Sequence, residues 1–447
     1  MSLHKGKNRP RATVRQSGRP AWGGAASWRV RWLVLRSLTI GIVLLGAAPA
    51  FAASGGAGLS GGGSTGVLAA VPYMGWNTYY GVGGIFDQRT ILSVARALLD
   101  RGLARAGYRI VWLDFGWSTG KRGPGGQLVV DPHQWPHGLL WLTDWLHRHD
   151  LLAGIYTDAG RSGCNGQGVG SLGHYQQDAD SFAAWGFDAV KVDFCGAGQE
   201  GFDPRPLYTR FARALAHNSS HRQLLLNVCN FWVPGQINGT RPSYANSAYD
   251  SYRWAPRIAQ SWRTDTDIGF HHDIQWVNVL RNLDHDAAQP TAAGPGHWND
   301  PDYLGPELGM TSAQARAQFS MWAIVAAPLM LGSDPRVLSP ETIRMLENRE
   351  VIAVDQDPLG IQGTVVAQQD DGQVWSKPLA GGAAAVALLN RGSAPLRITT
   401  TASTVGLAAA ARYTVRDLWA HRSTESQGEI AAVVPPDGVM LYRVEPA

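Results

Sequence analysis

The sequence predicts a (β/α)8 TIM barrel followed by a small C-terminal antiparallel β-sandwich domain, on three observations. From residue 71 to residue 357, short apolar runs of strand character alternate with helix-length segments. Alternation of that kind builds a parallel sheet covered by helices, and roughly eight such units in about 285 residues suit a closed barrel better than an open sheet. From residue 358 to 447 the helical spacing stops, and short β-type runs separated by Gly, Pro and Ser take over.

In chain order, the first 36 residues hold nine Lys/Arg and no acid, and an uncharged run, 37–52, ends in Ala50-Phe51-Ala52. A basic region, an apolar region and a small-x-small end read as a cleaved signal peptide over residues 1–52. The apolar run is short for a membrane span, which needs about 20 residues. A secreted or periplasmic protein is therefore expected, with no membrane attachment after cleavage. Subtracting the nine positive charges from the formal +4 leaves −5. The basic pI then belongs to the export signal, and nucleic acid is not an expected partner. Residues 53–70, rich in Gly and Ser, read as a flexible linker.

Strands are expected over Tyr108–Leu113, Leu151–Tyr156, Phe187–Val192 and Leu224–Val228, with others near 260–263, 297–299 and 326–331. Gln88–Ala106 and Gln176–Trp185 carry helical spacing. Past residue 358 the β-type runs are Val374–Pro378, Ala384–Asn390, Leu396–Thr400, Arg412–Asp417 and Val439–Val444. Export permits a disulfide, and three cysteines (Cys164, Cys195, Cys229) allow at most one internal pair. No Cys-x-x-Cys pair suggests zinc.

Barrel active sites lie at the C-terminal ends of the strands. Read in order, those ends offer Trp76, Asn77 and Tyr79, then Asp114, Tyr156 with Asp158, Asp193, Asn230, Asp265 with Asp267, and Asp300 with Asp302. Carboxylates interleaved with Trp and Tyr describe an acidic, aromatic pocket. Two carboxylates facing one glycosidic bond are the minimum for its hydrolysis, so a carbohydrate substrate is expected. Lys191 and Asp193, two apart on one strand, share a face, and a lysine beside Asp193 would keep it ionised. His271-His272-Asp273 is a poor metal site, because adjacent helical residues point about 100° apart. There is no nucleophile elbow and no phosphate loop. No metal and no cofactor is expected.

The motifs MGWNTY (74–79), WLDFGW (112–117), GIYTDAGRSGC (154–164), WGFDAVKVDFC (185–195), WRTDTDI (262–268), GPGHWNDPDYL (294–304), AAPLMLGSD (326–334) and VDQDPLG (354–360) resemble the α-galactosidase family, glycoside hydrolase family 27. The resemblance spans nearly the whole chain after the leader. It implies a retaining exo-glycosidase that releases terminal α-D-galactosyl residues. It places the nucleophile at Asp193, in a Lys-x-Asp-x-Cys motif. The acid/base falls four residues after Arg263, at Asp267, with Asp265 as the near alternative. It assigns Asp114, Tyr156, Lys191, Arg263 and Asp302 to sugar binding, with Trp76 and Tyr79 from the first motif, Tyr79 as a wall. It pairs Cys164 with Cys195 and leaves Cys229 as a buried free thiol. Two positions depart from the family. Phe115 stands where a second sugar-binding aspartate is usual, and Asn230 where Glu commonly reads the 2-hydroxyl. Both bear on sugar identity, and they keep β-L-arabinopyranosidase, α-N-acetylgalactosaminidase and isomaltodextranase as alternatives, with a non-catalytic carbohydrate-binding barrel behind them. Nothing in the sequence sets the oligomeric state.

Overall fold

The computed structural model describes residues 68–164, 168–230 and 250–447. The expected leader and nearly all of the linker lie outside them. Eight parallel strands form the first sheet: β1 (Met74–Asn77), β2 (Ile110–Trp112), β3 (Leu152–Asp158), β4 (Ala189–Asp193), β5 (Leu225–Cys229), β6 (Ser261–Arg263), β9 (Trp298–Asp300) and β10 (Leu329–Leu331). A two-residue hairpin, β7 (Gly269–Phe270) with β8 (Asp273–Ile274), stands between β6 and β9. The order β10-β1-β2-β3-β4-β5-β6-β9 closes just beyond β9. There Leu304 pairs with Leu331, and the Leu304 N–H meets the Met330 carbonyl at 2.7 Å. The strands read as near-continuous apolar runs because both of their faces are covered.

The helical segments are α1 (Gln88–Asp100), α2 (Leu103–Ala106), α3 (Leu139–His147), α4 (Tyr175–Ala184), α5 (Cys195–Gln199), α6 (Pro204–Ala216), α7 (Trp276–Ala287), α8 (Ser312–Ile324), α9 (Pro340–Leu346) and α10 (Arg349–Asp355). The helix expected over 88–106 is two pieces, because Gly102 sits at φ +85° and ends the first. α1 starts where the Asp87 carboxylate accepts the Thr90 N–H at 2.8 Å. None of the described helices is long and apolar enough to cross a membrane.

The C-terminal region holds β11 (Thr364–Gln369), β12 (Gly372–Pro378), β13 (Ala384–Asn390), β14 (Leu396–Thr401), β15 (Tyr413–Asp417), β16 (Arg422–Ser426), β17 (Glu429–Val434) and β18 (Val439–Pro446). Six of them form an antiparallel sheet in the order β11-β12-β13-β18-β15-β16, and β14 pairs with β17 as a second layer. β13 shows how the two regions join. Its side chains alternate between faces: Ala384, Val386 and Leu388 join the sandwich core with Ile398 and Ile430, whereas Ala385, Ala387 and Leu389 join the barrel's core. α8 lies against that second face, with Phe319, Met321, Trp322 and Ile324 all buried. A helix apolar on every side belongs between two layers. β11, β16 and β17 escape the sequence pattern because β11 buries none of its residues fully, β16 exposes most of its own and β17 half-buries a short mixed run.

Candidate active site

Asp193 ends β4, where alternation buries Val190 and Val192 outward and turns Lys191 and Asp193 inward. The Tyr156 hydroxyl, from β3, donates to Asp193 Oδ2 at 2.8 Å. Lys191 makes its ion pair elsewhere than the sequence suggested: its Nζ lies 3.0 Å from Asp114 Oδ2, not on Asp193. Asp114 also accepts from Asn77 Nδ2 at 3.0 Å and from the Phe115 N–H at 2.9 Å. The rings of Tyr303, Tyr79 and Tyr156 surround the Lys191 ammonium at 5.3, 5.6 and 5.7 Å. Burial pushes the Asp193 carboxyl up; the Lys191 charge pulls it back down, and the charges of Asp114 and Asp267 add to the rise.

Asp267 follows β6 on the loop to the β7–β8 hairpin. Arg263 Nη2 donates to its Oδ1 at 3.1 Å, the Tyr79 hydroxyl donates to its Oδ2 at 3.2 Å, and the side chain is 32% exposed. The same Arg263 nitrogen lies 2.9 Å from Asp302 Oδ2. Asp302 is buried and held by the Tyr80 hydroxyl at 2.6 Å and the Ile268 N–H at 2.9 Å. Burial, countered by Arg263, lifts its carboxyl to about 6. Its backbone sits at φ +87°, a conformation that non-glycine residues seldom hold without a tertiary constraint.

Asp265 is fully buried and committed elsewhere. It takes Arg281 Nε at 3.1 Å, His285 Nδ1 at 2.5 Å and the Thr266 N–H at 2.6 Å. Of the two neighbouring aspartates, Asp267 is the one that shares groups with Asp302 and Tyr79.

The remaining candidates divide. Trp76 is fully buried, with its indole N–H on the Ser333 carbonyl at 2.9 Å; it is barrel wall and does not line the pocket. Asn230 is fully buried at the end of β5, and its amide oxygen accepts from the Ser251 hydroxyl. Phe115 is half-buried, its ring 6.4 Å from Tyr79 and 6.3 Å from His271. A cavity of ≈ 220 Å³ opens on the Tyr156 side, with Phe115, Trp117 and Thr157 among its walls. Cys164 and Cys195 form the disulfide, with Cα atoms 4.9 Å apart, and Cys164 Sγ lies 3.4 Å from Asp193 Oδ2. Cys229 is a free thiol but half-buried rather than buried, with Sγ 3.9 Å from Arg263 Nη1. His271-His272-Asp273 is in the β7–β8 hairpin rather than on a helix, and His271 Nδ1 lies 3.0 Å from the Tyr79 carbonyl. Asp158 lies near both disulfide sulfurs, but those sulfurs are bonded to each other and its carboxylate accepts the N–H groups of Gly160, Gly196 and Ala197. Tyr80 and Tyr303, which complete the setting of Asp302 and Lys191, were not singled out in the sequence. Each directly follows a residue that was, and only the folded chain brings them to their partners.

Residues 84–357 match the family model described as alpha galactosidase A, and residues 369–444 match the alpha galactosidase C-terminal beta sandwich domain. The chain is 37% identical over 382 residues to an alpha-galactosidase of Oryza sativa subsp. japonica, covering 85% of this chain and 86% of that protein. It is 38% identical over 383 residues to an alpha-galactosidase of Coffea arabica, covering 85% and 95%. The crystal structure of alpha-galactosidase I from Mortierella vinacea superposes with a TM-score of 0.75 at 29% identity, covering 85% of this chain and 98% of that one. A matched catalytic region, a matched sandwich and relatives similar over most of both chains make this protein a glycoside hydrolase that belongs to the alpha-galactosidase family.

Proposed function

We propose that the protein hydrolyses terminal α-D-galactosyl residues of oligo- or polysaccharides by double displacement. Asp193 attacks C1 while Asp267 gives its proton to the departing glycosidic oxygen. Asp267 then takes a proton from water, which attacks C1 and releases Asp193, so the α-configuration is retained. One observation carries this reading: Tyr79 bonds Asp267 through its hydroxyl and meets Lys191, on the same face of β4 as Asp193, through its ring. The two carboxylates therefore serve one pocket, and their charges oppose each other. The test is release of p-nitrophenol from p-nitrophenyl α-galactoside, with the first-formed sugar read by NMR. α-Galactose is expected first; β-galactose first would show inversion.

Phe115 favours a second reading. Its phenyl ring stands against Tyr79 where the family commonly supplies a sugar-binding carboxylate. A missing charged acceptor costs about 1.5–3 kcal/mol against a sugar that needs it. A pentopyranose, which lacks the hydroxymethyl group, loses less there. Faster turnover of p-nitrophenyl β-L-arabinopyranoside than of the α-galactoside, in a panel that also holds the α-N-acetylgalactosaminide and the α-glucoside, would replace the first reading.

The pH dependence follows from the raised Asp193 carboxyl. The nucleophile must be ionised, so kcat/KM falls on the acid side as Asp193 takes a proton, above the ordinary carboxylate range. Lys191→Met removes the charge that pulls Asp193 down, and the acid limb is expected to move to higher pH. A limb that stays in place would mean the Lys191 charge does not reach Asp193.

Export as a secreted or periplasmic protein rests on the leader and on the Cys164–Cys195 disulfide, which an oxidising compartment favours. N-terminal sequencing of the exported protein should begin at residue 53; material that retains the leader would count against it.

A further inference from the structure

The geometry points to Phe270 as a platform for the leaving group, a sugar ring or aryl group attached through the oxygen that Asp267 protonates. This rests on the acid/base role proposed for Asp267. Phe270 comes three residues later and is 56% exposed. An aromatic side chain left partly in water offers a flat apolar face to a ligand. Its ring packs edge-on against His271, with centroids 4.4 Å apart. His271 lies 5.2 Å from the Tyr79 ring and 6.3 Å from Phe115. Tyr79 in turn bonds Asp267. The four rings thus form a continuous wall from the acid/base to solvent.

The hairpin that carries Phe270 is tied to the barrel at several points. The His272 N–H donates to the Tyr80 carbonyl at 3.1 Å, and His271 Nδ1 lies 3.0 Å from the Tyr79 carbonyl. The Ile274 N–H donates to the Leu308 carbonyl at 2.7 Å, and its side chain is buried. A hairpin held in this way presents Phe270 with little backbone freedom left to lose when a ligand binds. Ile85, 96% exposed, follows two residues after Gly83, whose Cβ position lies 3.4 Å from His271. Ile85 thus puts a second exposed apolar side chain on the loop that passes His271. In a double displacement the group beyond the protonated oxygen lies on the acid/base side of the anomeric carbon. Flat rings there match the apolar C–H face of a pyranose or the face of an aryl group.

The experiment compares two leaving groups in the full chain. Phe270→Ala is expected to raise KM for p-nitrophenyl α-galactoside and melibiose about ten-fold with little change in kcat. It should leave kcat/KM for α-galactosyl fluoride, whose leaving group is one atom, within about two-fold. Phe270→Trp should keep KM near the original value. An equal loss on the fluoride and the larger substrates would make Phe270 a support for Asp267, and no loss on either would leave it no role; both outcomes overturn the platform. If the unaltered chain turns over no galactoside, including the fluoride, the proposed sugar is wrong rather than the platform. The same comparison then uses p-nitrophenyl β-L-arabinopyranoside and β-L-arabinopyranosyl fluoride, with the same outcomes.

Discussion

Asp193→Asn is expected to lower turnover of p-nitrophenyl α-galactoside by about 10⁴–10⁶-fold, the scale seen when a covalent nucleophile is removed. The amide has nearly the carboxylate's shape and can still accept the Tyr156 hydroxyl, so the loss would lie in chemistry and not in folding. Stability should move the other way. Burial raises the folded pKa of Asp193 above its unfolded value. The ionised carboxylate therefore opposes folding at any pH above the folded pKa. The penalty shrinks as pH falls toward the unfolded value and is absent below it. Asn carries no such penalty. The variant should melt at least as high as the original protein near neutral pH, with the advantage fading toward pH 4. Asp193→Ala opens room for azide on the nucleophile's face of the sugar, and β-galactosyl azide should accumulate. Near-normal turnover in either variant would remove Asp193 from the mechanism.

The shared face of Lys191 and Asp193 was legible because a strand's period of two is a strong constraint: the two had to face the same way, and they do. The partner of Lys191 was not. Inward side chains from alternate strands share a layer inside a barrel, so Asp114 at the end of β2 meets Lys191 on β4 although β3 lies between them. Sequence proximity pointed to Asp193; the folded layer gave the contact to Asp114. Trp76 misled for a related reason. It sits beside pocket residues in the chain, but its ring is turned into the barrel wall. The β7–β8 hairpin left no trace in the pattern, since two-residue strands are too short for any period to register. The same holds in part for the C-terminal strands, where β13 is buried on both faces and reads clearly while β16 lies in water and does not.

Spacing after Arg263 admitted both Asp265 and Asp267, and the fold separates them by their partners. Asp267→Ala is expected to cut kcat/KM about 10²–10⁴-fold for melibiose, whose leaving alcohol needs a proton. The first step with p-nitrophenyl α-galactoside should suffer far less, because p-nitrophenolate departs unprotonated. Without a base to activate water, the galactosyl-enzyme should accumulate and give a burst of p-nitrophenol. Azide, which needs no base, should then restore turnover and yield α-galactosyl azide, the anomer opposite to that from Asp193→Ala. Asp265→Ala should do none of this. It strips the buried Arg281 of its carboxylate, a change that costs about 3–5 kcal/mol, and it should lower Tm while the folded fraction turns over without help from azide. An azide-dependent Asp265→Ala beside an azide-indifferent Asp267→Ala would exchange the two roles. The anomer of the azide product is decisive because it reports which face of the sugar each missing carboxylate had occupied.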